Sequence, residues 1–360
     1  LYDPDHGYYL APARRPGRGG DFLTAPEVHP FFGFTLARLV RACWERLGQP
    51  HPFTVREIGA GVGGLAYDII AALSDEAPEL RAALDYRLVE LNPHRRAQAA
   101  AALAERGLGE VARVETPGAD GQLPPIVGLT LANEVADALP VHRLVWRDGA
   151  LRERWVTWDA AGARFADIER PLSPLVAALD LPAYLAGERV ALAEDDVIEV
   201  SPAAAAWMTG VARGLSRGYA LIVDYGYPAT ELYRAHRLTG TVRGYAGHTV
   251  TDDPYRCVGE QDLTAHVDFT RLRRAGEAAG LTFGGLTTQA DFLAAAGLGD
   301  WLVRMQAEPG TTVADYYAAQ SAVFRLIDPG GMGRFRVLAM AKDAPLTPPL
   351  PGLGPLAGRL

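Results

Sequence analysis

The chain has 360 residues, enough to bury a large core in one elaborated domain or two smaller ones. Hydrophobic residues make up 49% and charged residues 22%, and no apolar run reaches the roughly 18 residues of a transmembrane helix. A net charge of −8 argues against a nucleic-acid binder, and Cys43 and Cys257 are too few and too distant for a disulfide framework or a zinc site. Lys342 is the only lysine beside many arginines and alanines, a skew that points to a GC-rich bacterial genome; a cytoplasmic protein is expected.

Residues 1–33 are crowded with Gly, Pro and aromatics and read as irregular. Leu36, Leu39, Val40, Trp44 and Leu47 recur at helical spacing, so a helix is expected over Phe34–Leu47, closed by Gly48. Strand and helix then alternate: strand Phe53–Ile58, helix Leu65–Leu73, strand Asp85–Glu90, helix Pro93–Arg106, strand Glu110–Glu115, strand Ile126–Ala132. Such alternation implies a mostly parallel sheet covered on both faces. Asp148-Gly149 between two apolar runs predicts a hairpin that opens an insertion. Helix Ala203–Leu215 and strand Tyr219–Asp224 resume the pattern, and helix Thr270–Ala279 with strands Leu281–Thr287 and Phe335–Lys342 closes it. The expected fold is an α/β, doubly wound, seven-stranded sheet with an antiparallel last strand. Residues 1–50 form an N-terminal arm and helix, 51–345 the main domain, with insertions at about 141–200 and 226–262, and 346–360 a loose tail.

Glu57-Ile58-Gly59-Ala60-Gly61-Val62-Gly63-Gly64 ends the first strand. Glycines there let the backbone turn tightly and approach a ligand, beside the free N–H groups of a helix start. Gly59, Gly61 and Gly64 also satisfy a dinucleotide fingerprint, so the glycines alone do not choose between a nicotinamide cofactor and S-adenosylmethionine. Glu57 chooses: a carboxylate at the strand tip repels a pyrophosphate and suits the ammonium and sulfonium of S-adenosylmethionine. Glu90, closing the second strand, is placed to accept ribose hydroxyl protons, a role common to both cofactors.

The fourth strand runs into Asn133-Glu134-Val135-Ala136-Asp137-Ala138-Leu139-Pro140. Ligands bind at the carboxyl ends of strands in such sheets, so this loop should face the reacting group. Glu134 and Asp137 stand three apart, and one helical turn would aim both at a guanidinium. Asn133 or Asp137 could equally cap the next helix. Asp224 ends the fifth strand before Tyr225-Gly226, and could orient an acceptor or serve a turn. His266, between Asp262 and Asp268, is a proton acceptor by type, although lone histidines are commonly structural; no metal is expected from this spacing.

Several stretches together resemble the MidA family of S-adenosylmethionine-dependent methyltransferases, which includes a mitochondrial complex I assembly factor. They are Leu1–Pro4 with Gly7-Tyr8-Tyr9, Gly20–Glu27, the Glu57 glycine loop, Asn133-Glu134 with Asp137–Pro140, Asp224-Tyr225-Gly226, Asp262–Phe269, and Met332-Gly333 with Phe335. The resemblance implies a class I, Rossmann-like methyltransferase sheet, with the Gly20–Glu27 segment over the cofactor and Thr24 and Pro26 in its wall. With the residues read above, the expected S-adenosyl-L-methionine site is Thr24, Pro26, Glu57, Gly59, Gly61, Gly63, Glu90 and Asn133, and the candidate catalytic residues are Glu134, Asp137, Asp224 and His266. An arginine guanidinium of a protein, on a respiratory complex I subunit, is the implied acceptor.

The chain departs from the family at Val62, where an arginine is usual, and at Val135 and Ala136, where two aromatics are usual. Smaller side chains there would widen the acceptor pocket. A small-metabolite O- or N-methyltransferase is therefore the alternative, with a non-catalytic assembly factor and an NAD-dependent oxidoreductase behind it.

Overall fold

The computed structural model describes residues 1–11, 23–118, 122–234 and 239–354, so Gly20, Asp21 and Phe22 lie outside the described residues. The first helix, α1 (Ala25–Val28), is short and begins at a capping box in which Thr24 and Glu27 each meet the other's backbone. Helix α2 (Phe31–Arg46) starts ahead of the expected Phe34, because Phe31 and Phe32 are buried together with Leu36, Leu39 and Val40. The opening segment is thus less irregular than its composition suggests.

The alternating region contains β1 (Phe53–Ile58), α3 (Gly64–Glu76), a short α4 (Pro78–Ala83), β2 (Leu84–Val89), α5 (Pro93–Glu105), β3 (Ala112–Glu115) and β4 (Ile126–Asn133). Helix α4 escaped the sequence reading because six residues hold less than two turns of apolar period. The first insertion is more than a hairpin. Strands β5 (His142–Arg147), β6 (Ala150–Asp159) and β7 (Arg164–Arg170) precede helices α6 (Pro174–Ala177) and α7 (Leu181–Gly187) and strand β8 (Val197–Val200). The four strands make a separate sheet in the order β7-β6-β5-β8. Its first turn places Asp148 at φ 48° and Gly149 at φ 78°, the left-handed pair that a two-residue hairpin requires.

Helix α8 (Pro202–Arg213) leads into β9 (Leu215–Asp224). The second insertion then holds β10 (Gly226–Tyr227), α9 (Ala229–Leu232), β11 (Arg243–Ala246), β12 (Thr249–Thr251) and β13 (Asp262–Thr264), followed by β14 (Val267–Asp268) paired to β10. After α10 (Phe269–Ala278) and β15 (Thr282–Thr288) come three helices on which the sequence reading was silent: α11 (Gln289–Ala295), α12 (Leu298–Ala307) and α13 (Val313–Ile327). Their starts carry Thr288/Asp291 and Thr312/Asp315 caps, and Trp301 of α12 packs on Phe31 and Phe34 of α2. Strand β16 (Arg336–Lys342) completes the chain's regular structure. The stretch after it is fastened as far as 354: Leu350 is buried, and Arg46 donates to the carbonyls of Pro348 and Pro349 at 2.6 and 2.8 Å.

The main sheet has seven strands in the order β15-β16-β9-β4-β1-β2-β3. Strands β3, β2, β1, β4 and β9 are parallel, and β16 runs antiparallel to both of its neighbours. From β1 the chain winds outward through β2 to β3, then returns to β4 on the other side. The crevice at the carboxyl ends of β1 and β4 is therefore the topological switch point, where open α/β sheets bind ligands. Register sets Glu57 opposite Leu131 and Ile58 opposite Ala132, which brings the glycine loop level with Asn133 and Glu134.

Candidate active site

The loop after β1 turns at Gly59, Gly61 and Gly63, with φ of 73°, 55° and 83°. A Cβ at Gly59 would stand 2.6 Å from Val135 Cγ2, so the closeness of the two strand-tip loops itself demands glycine. Gly61 N donates to Glu90 Oε2 at 3.0 Å, and Asn92 N donates to Glu90 Oε1 at 2.9 Å. One carboxylate thus ties the tip of β2 to the glycine loop.

Glu57 is buried, and Tyr86 Oη donates to its Oε2 at 2.8 Å. Burial raises its carboxyl from the usual range to about 8, against the opposing Tyr86 bond. Glu134, one residue past β4, adopts φ 53°, a left-handed conformation that costs a non-glycine residue and turns its side chain at the strand tip. Its Oε1 accepts from Ala25 N at 2.9 Å and from Asn133 Nδ2 at 3.0 Å. Burial raises this carboxyl, too, to about 8. Asn133 Oδ1 is buried without a hydrogen-bond partner among the described residues, an acceptor open to a ligand donor.

These groups line a cavity of about 550 Å³ at the switch point. Glu57, Gly59, Gly61 and Glu90 line it together with Asn133, Glu134 and Val135, and the arm contributes Thr24 and Pro26. Four of the residues expected at the site lie elsewhere. Gly63 sits behind the loop, where a Cβ would press on Leu88 Cδ2 at 2.9 Å. Asp224 is fully buried and its Oδ2 accepts from the backbone N–H groups of Val135, Ala136 and Asp137 at 3.1, 2.8 and 3.2 Å. It holds the β4 loop from beneath rather than facing the cavity.

Asp137 is buried beside Asp224, and burial pushes its carboxyl up to about 6. Asp224 is pushed upward as well, by burial first and then by the Asp137 charge, while Tyr225 N and the loop amides stabilise its anion. Two such acids in contact titrate as a coupled pair, both held above the usual carboxylate range by burial. His266 stands apart, with its ring edge-on to Tyr225 at 5.4 Å and tilted against Tyr227 at 5.6 Å. Its backbone N donates to Thr241 Oγ1 at 3.1 Å. Ala136, expected to widen the acceptor pocket, is buried outside the cavity; Val62 and Val135 line it.

Other lining residues went unassigned in the sequence reading: Tyr2, Tyr9, Glu27 and Trp207. Tyr2 and Tyr9 stack at 5.5 Å, and Tyr9 Oη donates to Asp262 Oδ2 at 2.9 Å while Tyr2 Oη donates to Ala138 O at 3.2 Å. Buried Asn92 donates to the carbonyls of Tyr9 and Ala11, which clips the arm to the β2 end of the site. The signal was the aromatic crowding of the opening segment, which composition marks and only tertiary contact interprets.

A family model described as "Putative S-adenosyl-L-methionine-dependent methyltransferase" matches residues 35–287. The chain belongs to that family. Among curated relatives, the Drosophila melanogaster protein named "Protein arginine methyltransferase NDUFAF7 homolog, mitochondrial" is 32% identical over 304 residues, covering 78% of this chain and 65% of the relative. The Homo sapiens protein arginine methyltransferase NDUFAF7 is 28% identical over 298 residues, covering 77% of this chain and 63% of that protein. The chain thus spans less than two thirds of the length of these relatives. A crystal structure of a Burkholderia thailandensis protein bound to S-adenosyl-homocysteine superposes with a TM-score of 0.86 at 34% identity, covering 98% of this chain and 87% of the other.

S-adenosylmethionine is the cofactor of this family, and the cavity fits it. The glycine loop admits a ligand against backbone, Glu57 offers a buried carboxyl to an ammonium, and Glu90 lies at the β2 tip where ribose hydroxyls seek an acceptor. No helix among the described residues is long and apolar enough to cross a membrane.

Proposed function

We propose that this chain methylates an arginine guanidinium of a protein, with S-adenosylmethionine as donor and a respiratory complex I subunit as partner. The observation that carries the reading is Glu134: a half-buried carboxyl, fixed by Ala25 N and Asn133, that opens on the cofactor cavity. The names of the mitochondrial relatives support the same acceptor.

When bound, S-adenosylmethionine supplies an electrophilic methyl group on a sulfonium centre. Glu57 would pair with its ammonium, Glu90 would accept from its ribose, Asn133 Oδ1 would accept a further donor, and Thr24 and Pro26 would cover it. An arriving guanidinium favours the anion of Glu134, so the resting proton leaves and the carboxylate binds the cation. Glu134 then draws the guanidinium charge toward itself, leaves the far nitrogen electron-rich for attack on the methyl, and takes the one excess proton from the guanidinium edge it holds. Asp224 acts through the backbone: by gathering three loop amides it holds Glu134 at its unusual φ. Residues 51–345 make the catalytic body in this reading, and residues 1–50 its cover. The near absence of lysine beside many arginines supports a bacterial source.

Incubation with labelled S-adenosylmethionine and host lysate tests the proposal. Label recovered as methylarginine from a protein band is expected; label confined to small molecules overturns it. That second outcome would fit methylation of a metabolite, which the short Val62 and Val135 side chains on the cavity wall favour.

A further inference from the structure

We propose that Glu27 is a specificity residue of this site, the outer carboxylate of a pair with Glu134 that receives the cationic acceptor side chain. The inference rests on the arginine reading above and adds a residue to it.

Four carboxyls line the cavity, Glu27, Glu57, Glu90 and Glu134, against the single guanidinium of Arg95 in the same wall. Glu57 and Glu90 lie on the β1 and β2 tips and are committed to the cofactor in the reading above. Glu27 and Glu134 remain, and both are bound to the first turn of α1. Glu27 Oε2 accepts from Thr24 N at 3.0 Å and Thr24 Oγ1 at 2.9 Å, while Glu134 Oε1 accepts from the next backbone N–H, that of Ala25, at 2.9 Å. The two acids are therefore locked to adjacent peptide groups on the same side of the cavity. They are close enough that the charge of Glu27 is felt at Glu134. Glu27 is exposed and Glu134 only partly so, so Glu27 stands nearer the mouth and Glu134 deeper.

That arrangement suits a long side chain with a delocalised terminal cation entering from solvent. A neutral acceptor would gain nothing from Glu27, whereas a guanidinium has donors on more than one edge and can meet both carboxylates.

The capping box supplies the control. Glutamine serves at the third helical position as well as glutamate, so Glu27→Gln keeps the Thr24 bonds and removes only the charge. In the labelled-lysate assay with a purified acceptor band, Glu27→Gln should raise KM for the protein acceptor roughly fivefold and leave kcat nearly intact. The wild-type KM should climb with salt more steeply than the variant's. S-adenosyl-homocysteine affinity, read by calorimetry, should match the wild type. An unchanged acceptor KM overturns the assignment, as does a parallel loss of S-adenosyl-homocysteine affinity, which would move Glu27 to the cofactor. Absence of methylarginine from the wild-type reaction instead overturns the arginine reading itself, so the two failures are separable.

Discussion

Tyr86 Oη donates to Glu57 Oε2 at 2.8 Å, and the pair lies buried under the glycine loop with the acid's carboxyl held near 8 by desolvation. Near neutral pH Glu57 is mostly protonated in the empty site. A cofactor ammonium stabilises its anion, so binding expels a proton. Affinity for S-adenosyl-homocysteine should therefore rise between about pH 6 and about pH 8, with a calorimetric enthalpy that varies with buffer ionisation. Glu57→Gln should remove the pH dependence and weaken binding by about 1–3 kcal/mol. A buffer-independent enthalpy in the wild type would contradict this account of Glu57.

The same proton linkage governs stability. The folded-state carboxyls of Glu57 and Glu134 titrate near 8, above the unfolded glutamate value of about 4.3, so the native state retains protons that the unfolded chain gives up. The stabilisation is complete below the unfolded value and is lost as pH rises through about 8. Thermal melts of ligand-free protein should show a lower Tm at about pH 8.5 than at about pH 6. The double variant Glu57→Gln/Glu134→Gln should flatten that slope; an equally steep slope would place its origin in other groups.

Glu134→Gln keeps an oxygen for Ala25 N and should leave fold and cofactor affinity close to wild type. Turnover should fall about 100-fold or more, the scale for loss of a proton acceptor. Asp224→Ala should behave in the opposite way at the level of stability. It strands three loop amides in a buried setting, and a loss of about 3 kcal/mol or more in urea unfolding is expected. Full turnover in Glu134→Gln would strip that residue of its chemical role.

Gly59→Ala and Gly61→Ala separate two demands on the loop. Both residues have left-handed φ, but only Gly59 faces a neighbour, Val135 Cγ2 at 2.6 Å, while nothing stands within 4 Å of a Cβ at Gly61. Gly61→Ala should cost about 1–2 kcal/mol of backbone strain, and Gly59→Ala more than that. Adding Val135→Ala should recover the excess at Gly59 and nothing at Gly61. Equal costs that Val135→Ala leaves unmoved would refute the steric part of the argument.

Much of this architecture was legible in the chain. The strands β1 to β4 were found to within two residues because each is a short apolar run between turn signals. The glycine loop and its acids were found because backbone that must turn left-handed has few residues to choose from. Helices α11 to α13 were passed over, although Thr288 and Thr312 mark two of their starts.

Local sequence determined that acids stand at the ends of β1, β2, β4 and β9. It could not determine which way each carboxyl points, because a strand-tip acid satisfies itself equally well by meeting a ligand or by gathering neighbouring backbone amides. Tertiary structure decided: Glu57, Glu90 and Glu134 open on the cavity, whereas Asp224 turns under the β4 loop and His266 rests between tyrosines. The covering role of Tyr2 and Tyr9 was likewise settled by a contact across most of the chain, Tyr9 to Asp262. Strand order has the same origin, since pairing between distant segments is fixed by the burial of whole faces and not by the residues within any one strand.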